Sequence, residues 1–91
     1  MIPSADTTYE ESRRNSLKRN AKDLRKLRKV VASEIQYAAK HGDYSCDIVT
    51  IKPSTTVIET VNRELEALGY RTYITETSEM ATIHIYWLKE D

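Results

Sequence analysis

Between Arg13 and Lys29, nine of seventeen residues are Lys or Arg and only Asp23 is acidic. That density of like charge suits the gripping of an anion, whether phosphate oxygens or an acidic protein surface. The bases that would supply the field are Arg13, Arg14, Lys18, Arg19, Lys22, Arg25, Lys26 and Lys29. A helix face that is only wet usually mixes Glu with Lys to gain pairs four residues apart. Here Asp23 can reach Arg19 and Lys26, and most of the other bases lack a local counter-charge. A second set lies toward the C-terminus, where Arg71, Tyr73, His84 and Tyr86 bring a guanidinium, two phenol rings and an imidazole to neighbouring strands. Such groups stack on bases or bury against a second copy of the same surface.

Other chemistries find no footing in the sequence. Gly42 and Gly69 are the only glycines, both where helices end, so no glycine-rich loop can cradle a phosphate and P-loop nucleotide hydrolysis is excluded. His41 and His84 lie far apart with one cysteine between them, and no Cys or His pair has the spacing of a zinc site. The His41-Gly42-Asp43 stretch reads as a helix-ending turn rather than a cation loop. Cys46 reads as a small strand residue rather than a nucleophile, because no motif sets a base beside it. Asp47 is expected as a solvent-facing edge charge. The expectation is a protein without cofactor or metal that is not an enzyme.

Two helices and three strands must position these groups. Thr7 to Glu10 and Thr8 to Glu11 each have capping-box spacing, and they open a helix expected over 7–41 after a flexible stretch 1–6. Leu17, Ala21, Leu24, Leu27, Val31, Ile35 and Ala38 recur by three or four and draw one apolar stripe down it to Gly42. At about 100° per residue, Lys18, Arg19, Lys22, Lys26 and Lys29 fall away from that stripe and Arg25 flanks it. Arg28 alone lies within it and must snorkel or meet a carboxylate. Residues 44–52 form a strand, and Ile48, Val49 and Ile51 suggest cover on both of its faces. Ser54, Thr55 and Thr56 offer caps for a helix over 55–68, with Val57, Ile58, Val61, Leu65 and Leu68 as its buried stripe. Residues 70–88 read as a hairpin turning at 76–79, with Ala81, Ile83, Ile85 and Trp87 toward the core and Thr82, His84, Tyr86 and Leu88 away from it.

This order, helix-strand-helix-strand-strand, predicts one α+β domain over 1–91. The right-handed crossover rule makes the first two strands parallel, with the last strand between them and antiparallel to both. The result is a two-layer sandwich with a three-stranded mixed sheet and both helices on one face. The other sheet face is then left for water, a ligand or a second chain.

The formal charge of zero conceals an asymmetry: residues 1–29 hold nine bases against four acids and residues 30–91 five against ten, so the parts carry +5 and −5. Such a split steers anions to one end or docks two copies head to tail. No apolar run approaches the roughly 18 residues that span a bilayer, and residues 1–14 show no positively charged start followed by an apolar run, so export by a standard signal is not expected. A lone cysteine in a small chain fits a reducing compartment, so a cytoplasmic location is expected.

At AAKHGDYSCDIVTI, ELEALGYRTY and ATIHIYW, across residues 30–88, the chain resembles a group of small tailed-bacteriophage proteins. They share a helix closing on a Leu-x-x-x-Gly-Tyr turn and a last strand ending in Ile-x-Ile-x-Trp, matched here by Leu65, Gly69, Tyr70, Ile83, Ile85 and Trp87. The resemblance implies a fold and an origin in phage, and transfers no active site. The long basic part of the first helix departs from the group pattern. Together these readings lead to a small non-enzymatic binding protein, a homo-oligomer in the host cytoplasm that occupies a host partner or sequesters a nucleotide-like anionic ligand. A structural virion or assembly component, and a nucleic-acid-binding protein using the basic helix, are the alternatives.

Overall fold

The computed structural model describes residues 1–51 and 54–89, and its elements follow the expected order: α1 (Ala5–Lys40), β1 (Ser45–Ile51), α2 (Thr55–Ala67), β2 (Arg71–Glu76) and β3 (Met80–Tyr86). Lys52 and Pro53, expected to end and bound the first strand, lie outside the described residues. α1 begins earlier than the threonine boxes suggest. Ser4 is its cap, with the Oγ accepting from the Thr7 N–H at 3.2 Å, so one of the orphan donors of the first turn is Thr7's own and the helix has already begun there. Residues 4–6, expected to be flexible, are thereby part of the helix start. α2 is capped the same way by Ser54, which accepts from the Val57 N–H at 3.3 Å.

Both helices end in the same motif. After α1, Gly42 adopts φ 80°, its N–H donates to Ala39 O at 3.1 Å, and the Asp43 N–H donates to Ala38 O at 2.9 Å. After α2, Gly69 adopts φ 96°, its N–H donates to Glu66 O at 3.0 Å, and the Tyr70 N–H donates to Leu65 O at 3.1 Å. Two crossed bonds around a left-handed glycine are the Schellman closure, which satisfies the last carbonyls and turns the chain into the next strand.

The sheet order is β1-β3-β2, with β3 antiparallel to both neighbours. β1 and β2 run in the same direction without touching, so the sheet, expected as mixed, contains no parallel ladder. Cys46 and Ile48 of β1 lie opposite Ile85 and Ile83 of β3, which in turn face Thr72 and Ile74 of β2. This face meets the helices. Leu27, Val31, Ile48, Val57, Val61, Leu65, Ile83 and Ile85 form the core, with Trp87 and Tyr70 packed edge-to-face at its margin. α1 packs on β1 and α2, and α2 packs on β2, so both helices cover one face. Thr72 donates its hydroxyl hydrogen bond to Asn62 Oδ1 and ties β2 to α2.

Three expected core positions are not covered. Val49 is 61% and Ile51 80% exposed, because both project from the face of β1 that no helix reaches. Leu68 caps α2 at its outer end and is exposed. The stripe on α1 is also longer than the sheet beneath it. Residues 1–19 are all exposed, Leu17 among them; Ala21 is exposed too, and along the stripe burial starts at Leu24. A 36-residue helix is about 54 Å long at ~1.5 Å per residue, which explains molecular dimensions of 65 × 24 × 20 Å. Its first part projects beyond the sandwich as an arm.

Candidate functional site

The two groups of residues proposed for binding occupy opposite sides of the fold. Tyr73, His84, Tyr86 and Arg71 lie on the open sheet face, where Tyr73 stands opposite His84 and Arg71 opposite Tyr86. The bases of α1 lie on the helical layer, and α1 turns its apolar stripe to the sheet. No single small ligand can touch both.

On the open face His84 is the hub. Its Nδ1 is 2.8 Å from Asp47 Oδ1 on β1, its Nε2 is 3.1 Å from Thr75 Oγ1 on β2, and its ring stacks on Tyr73 at 4.1 Å with an interplanar angle of 14°. Tyr86 meets the edge of Tyr73 at 6.4 Å. One imidazole on the central strand thus ties all three strands. An ionised carboxylate only accepts, so the Nδ1–H points to Asp47, and Nε2 of the neutral ring accepts from the Thr75 hydroxyl. Asp47 is the solvent-facing edge charge expected of it and in addition holds His84, and Thr75 gains a role that no reading of the sequence gave it.

A hydroxyl, an imidazole and a carboxylate in sequence share their order with an acyl-transfer relay. The surroundings differ from such a relay. Asp47 is 64% exposed and Thr75 is exposed, so water reaches both ends of the chain of bonds. Thr75 is the fifth of six residues of a paired strand and lies on the face away from both helices, so among the described residues no helix N-terminus stands beside it to gather an oxyanion. The arrangement serves as a cross-strand clip that holds the rings of Tyr73 and His84 in place.

On α1, most of the bases fall in two rows. Lys18, Lys22 and Lys29 lie along the outer side, away from the core stripe, and Arg25 joins their row from the flank of that stripe, the four following one another by three or four residues. Arg19 and Lys26 flank them, with Asp23 and Val30 on the side that overlooks β1, and these four line a groove with Ile48, Val49, Thr50 and Ile51. All of the bases are exposed. Among the described residues, the only one of the nine in an ion pair is Arg28, so Asp23 does not hold Arg19 or Lys26. Arg13 falls on the line of the core stripe but on the projecting arm, where it meets only solvent.

Of the two outcomes open within the stripe, snorkelling or a carboxylate, Arg28 finds the carboxylate. Its Nη2 lies 2.5 Å from Glu64 Oε1, and its Nε donates to both carboxylate oxygens at 3.1 Å. The pair locks α1 to α2. The hydrogen bond raises the pKa of the guanidinium and holds the Glu64 carboxyl below the usual carboxylate range. Cys46 faces the helices and is half-buried. Burial first, then the negative charges of Glu34 and Asp47, push its thiol up, away from the thiolate a nucleophile needs.

Among the described residues no group of three or more His, Cys, Asp or Glu could hold a metal ion, and no helix is long and apolar enough to cross a membrane. His41 closes the α1 turn, with its Nδ1 2.8 Å from Tyr37 O and its ring 4.2 Å from that of Tyr37. Comparison of the chain with known protein families, with curated proteins and with solved structures finds no match.

Proposed function

We propose that this protein is a non-enzymatic binding protein that docks an extended polyanion along the outer side of α1. The observation that carries the reading is the row Lys18, Lys22, Arg25 and Lys29: exposed, evenly spaced, and without a carboxylate partner among the described residues. Like charges three and four residues apart destabilise a helix by roughly 0.2–0.5 kcal/mol per pair. A chain that keeps four in line gains most from an external counter-charge. The row spans about 16 Å at ~1.5 Å per residue on a convex surface, a shape that meets a phosphate backbone or an acidic protein segment rather than enclosing a single nucleotide.

A second reading, an assembly component, draws on the charge split of +5 in residues 1–29 against −5 in residues 30–91, which would let the arm of one copy seek the acidic part of another. The resemblance to small tailed-phage proteins favours a host or virion setting for either. The deciding experiment is a fluorescence-anisotropy titration of a mixed-sequence DNA duplex, and of poly-glutamate, at several salt concentrations. Binding of either polyanion that falls steeply and log-linearly with salt supports the first reading. No binding to either at low salt, with salt-sensitive self-association instead, replaces it with the second.

A further inference from the structure

We propose that the free edge of β1, under the flank of α1, takes an extended acidic peptide as a fourth strand of the sheet. This goes beyond the polyanion reading and uses a different surface, so either can stand without the other. β1 pairs only with β3, leaving its outer edge open among the described residues. Natural edge strands are usually blunted by Lys, Pro or a bulge, because unpaired N–H and C=O groups recruit other chains. Over Ser45–Ile51, β1 carries none of these: it has seven residues, one charge (Asp47) and two exposed β-branched side chains, Val49 and Ile51.

The groove beside that edge has a second wall. Arg19, Asp23, Lys26 and Val30 recur by four, three and four along α1, so they form one ridge, and they line the groove with β1 residues from Ile48 to Ile51. A strand laid on β1 would send alternate side chains toward this ridge and toward the open face beside Val49 and Ile51. The ridge carries two cations and one anion, which selects acidic side chains on the upper side. The exposed valine and isoleucine select β-branched or aromatic ones on the lower side. Main-chain pairing on an edge with alternate side chains read by pockets is an established mode of peptide capture.

A second copy of this chain fits the edge poorly. Paired strands stand about 4.8 Å apart, whereas packed helices need about 8–10 Å. Because α1 packs directly on β1, pairing two β1 edges would drive two α1 helices together at about half that distance. The occupant is therefore a strand with no helix above it.

The test is an NMR titration of the full-length, 15N-labelled protein with an eight-residue, end-blocked peptide alternating Glu and Val. Controls are the same peptide with Lys for Glu, and one N-methylated at alternate residues on its pairing edge. Expected are shifts from Asp47 to Ile51 and exchange protection at the alternate β1 amides there that do not already pair with β3, with little change in β2, no binding of the Lys peptide, and loss of binding on N-methylation. The double variant Arg19→Glu, Lys26→Glu should weaken the acidic peptide by roughly tenfold or more, and Val49→Lys, at an exposed site, should weaken it while leaving the fold intact. Absence of binding, binding indifferent to N-methylation, or equal binding of the Lys peptide would each overturn the proposal. Self-association of the protein that Val49→Lys abolishes would overturn it in favour of a second copy.

Discussion

Arg28 on α1 and Glu64 on α2, thirty-six residues apart, form a pair in which the guanidinium addresses both carboxylate oxygens. Glu64 is held below its unfolded value, so the pair stabilises the fold at pH values above the ordinary carboxylate range near ~4.3. The contribution is lost as pH falls through the lowered value, where the folded state must take up the proton. Both side chains are partly exposed, which makes the effect small. Arg28→Gln should flatten the acid limb of a stability-versus-pH curve between about pH 5 and pH 3, as followed by urea unfolding. An unchanged acid limb would mean that the pair contributes nothing to folding.

The clip at His84 makes a spectroscopic prediction. Asp47 can only accept, so the neutral ring should hold its proton on Nδ1 and present Nε2 to Thr75. Long-range 1H–15N correlation at a pH where the ring is neutral should show that tautomer in the native protein. Asp47→Ala should release it toward the Nε2–H form, and Thr75→Val should leave it in place. Finding Nε2–H in the native protein would break the assignment.

How much of this was legible in the sequence depends on whether a feature is local. The helices, their glycine closures, the core face of β3 and the sheet order follow from periodicity, turn chemistry and crossover handedness, and all are found. Arg28 was recognisable as having to snorkel or to meet a carboxylate, but neither that choice nor Glu64 was identifiable, because the rotation of α2 against α1 is a packing outcome. The Asp47–His84 contact depends on cross-strand register, which the spacing of apolar residues fixes only to a choice of face. Val49 and Ile51 read as buried because a run of apolar residues carries no sign of which side a second layer will occupy. Leu17 and Ala21 keep the period of the core stripe, yet a period specifies a direction around the helix and not how far the sheet beneath it extends.

That last distinction can be measured. Leu27 is 6% exposed and Leu17 61%, although both sit on the same stripe. Leu27→Ala should cost about 2–5 kcal/mol, and Leu17→Ala less than about 0.5 kcal/mol, by chemical denaturation monitored at the helix signal. A large loss at Leu17 in the isolated protein would show that the arm is covered in solution.

Gly69 joins α2 to β2 at φ 96°, with open space where a Cβ would stand. The cost of Gly69→Ala is therefore backbone strain without a clash, about 1 kcal/mol. Gly69→Asn should recover part of it, since Asn tolerates the left-handed region better. Equal stability of all three proteins in urea would mean the turn relaxes to another closure.

The outer row of α1 makes opposite predictions for binding and for folding. Lys18, Lys22 and Lys29 are exposed and have no ion-pair partner among the described residues, so reversing all three to Glu removes no native contact. Replacing Lys22 alone by Ala should even stabilise the helix by a few tenths of a kcal/mol, by lifting repulsion at Lys18 and Lys26. If the row grips a phosphate backbone, each lost contact should lower the slope of log affinity against log salt by about 0.9. The triple reversal should then lower it by about 2.7, with the melting temperature nearly unchanged. Reversing charge at Arg63, on α2 and outside the row, should leave the slope where it was. A triple variant that binds a duplex with the native slope would assign phosphate contact to another surface.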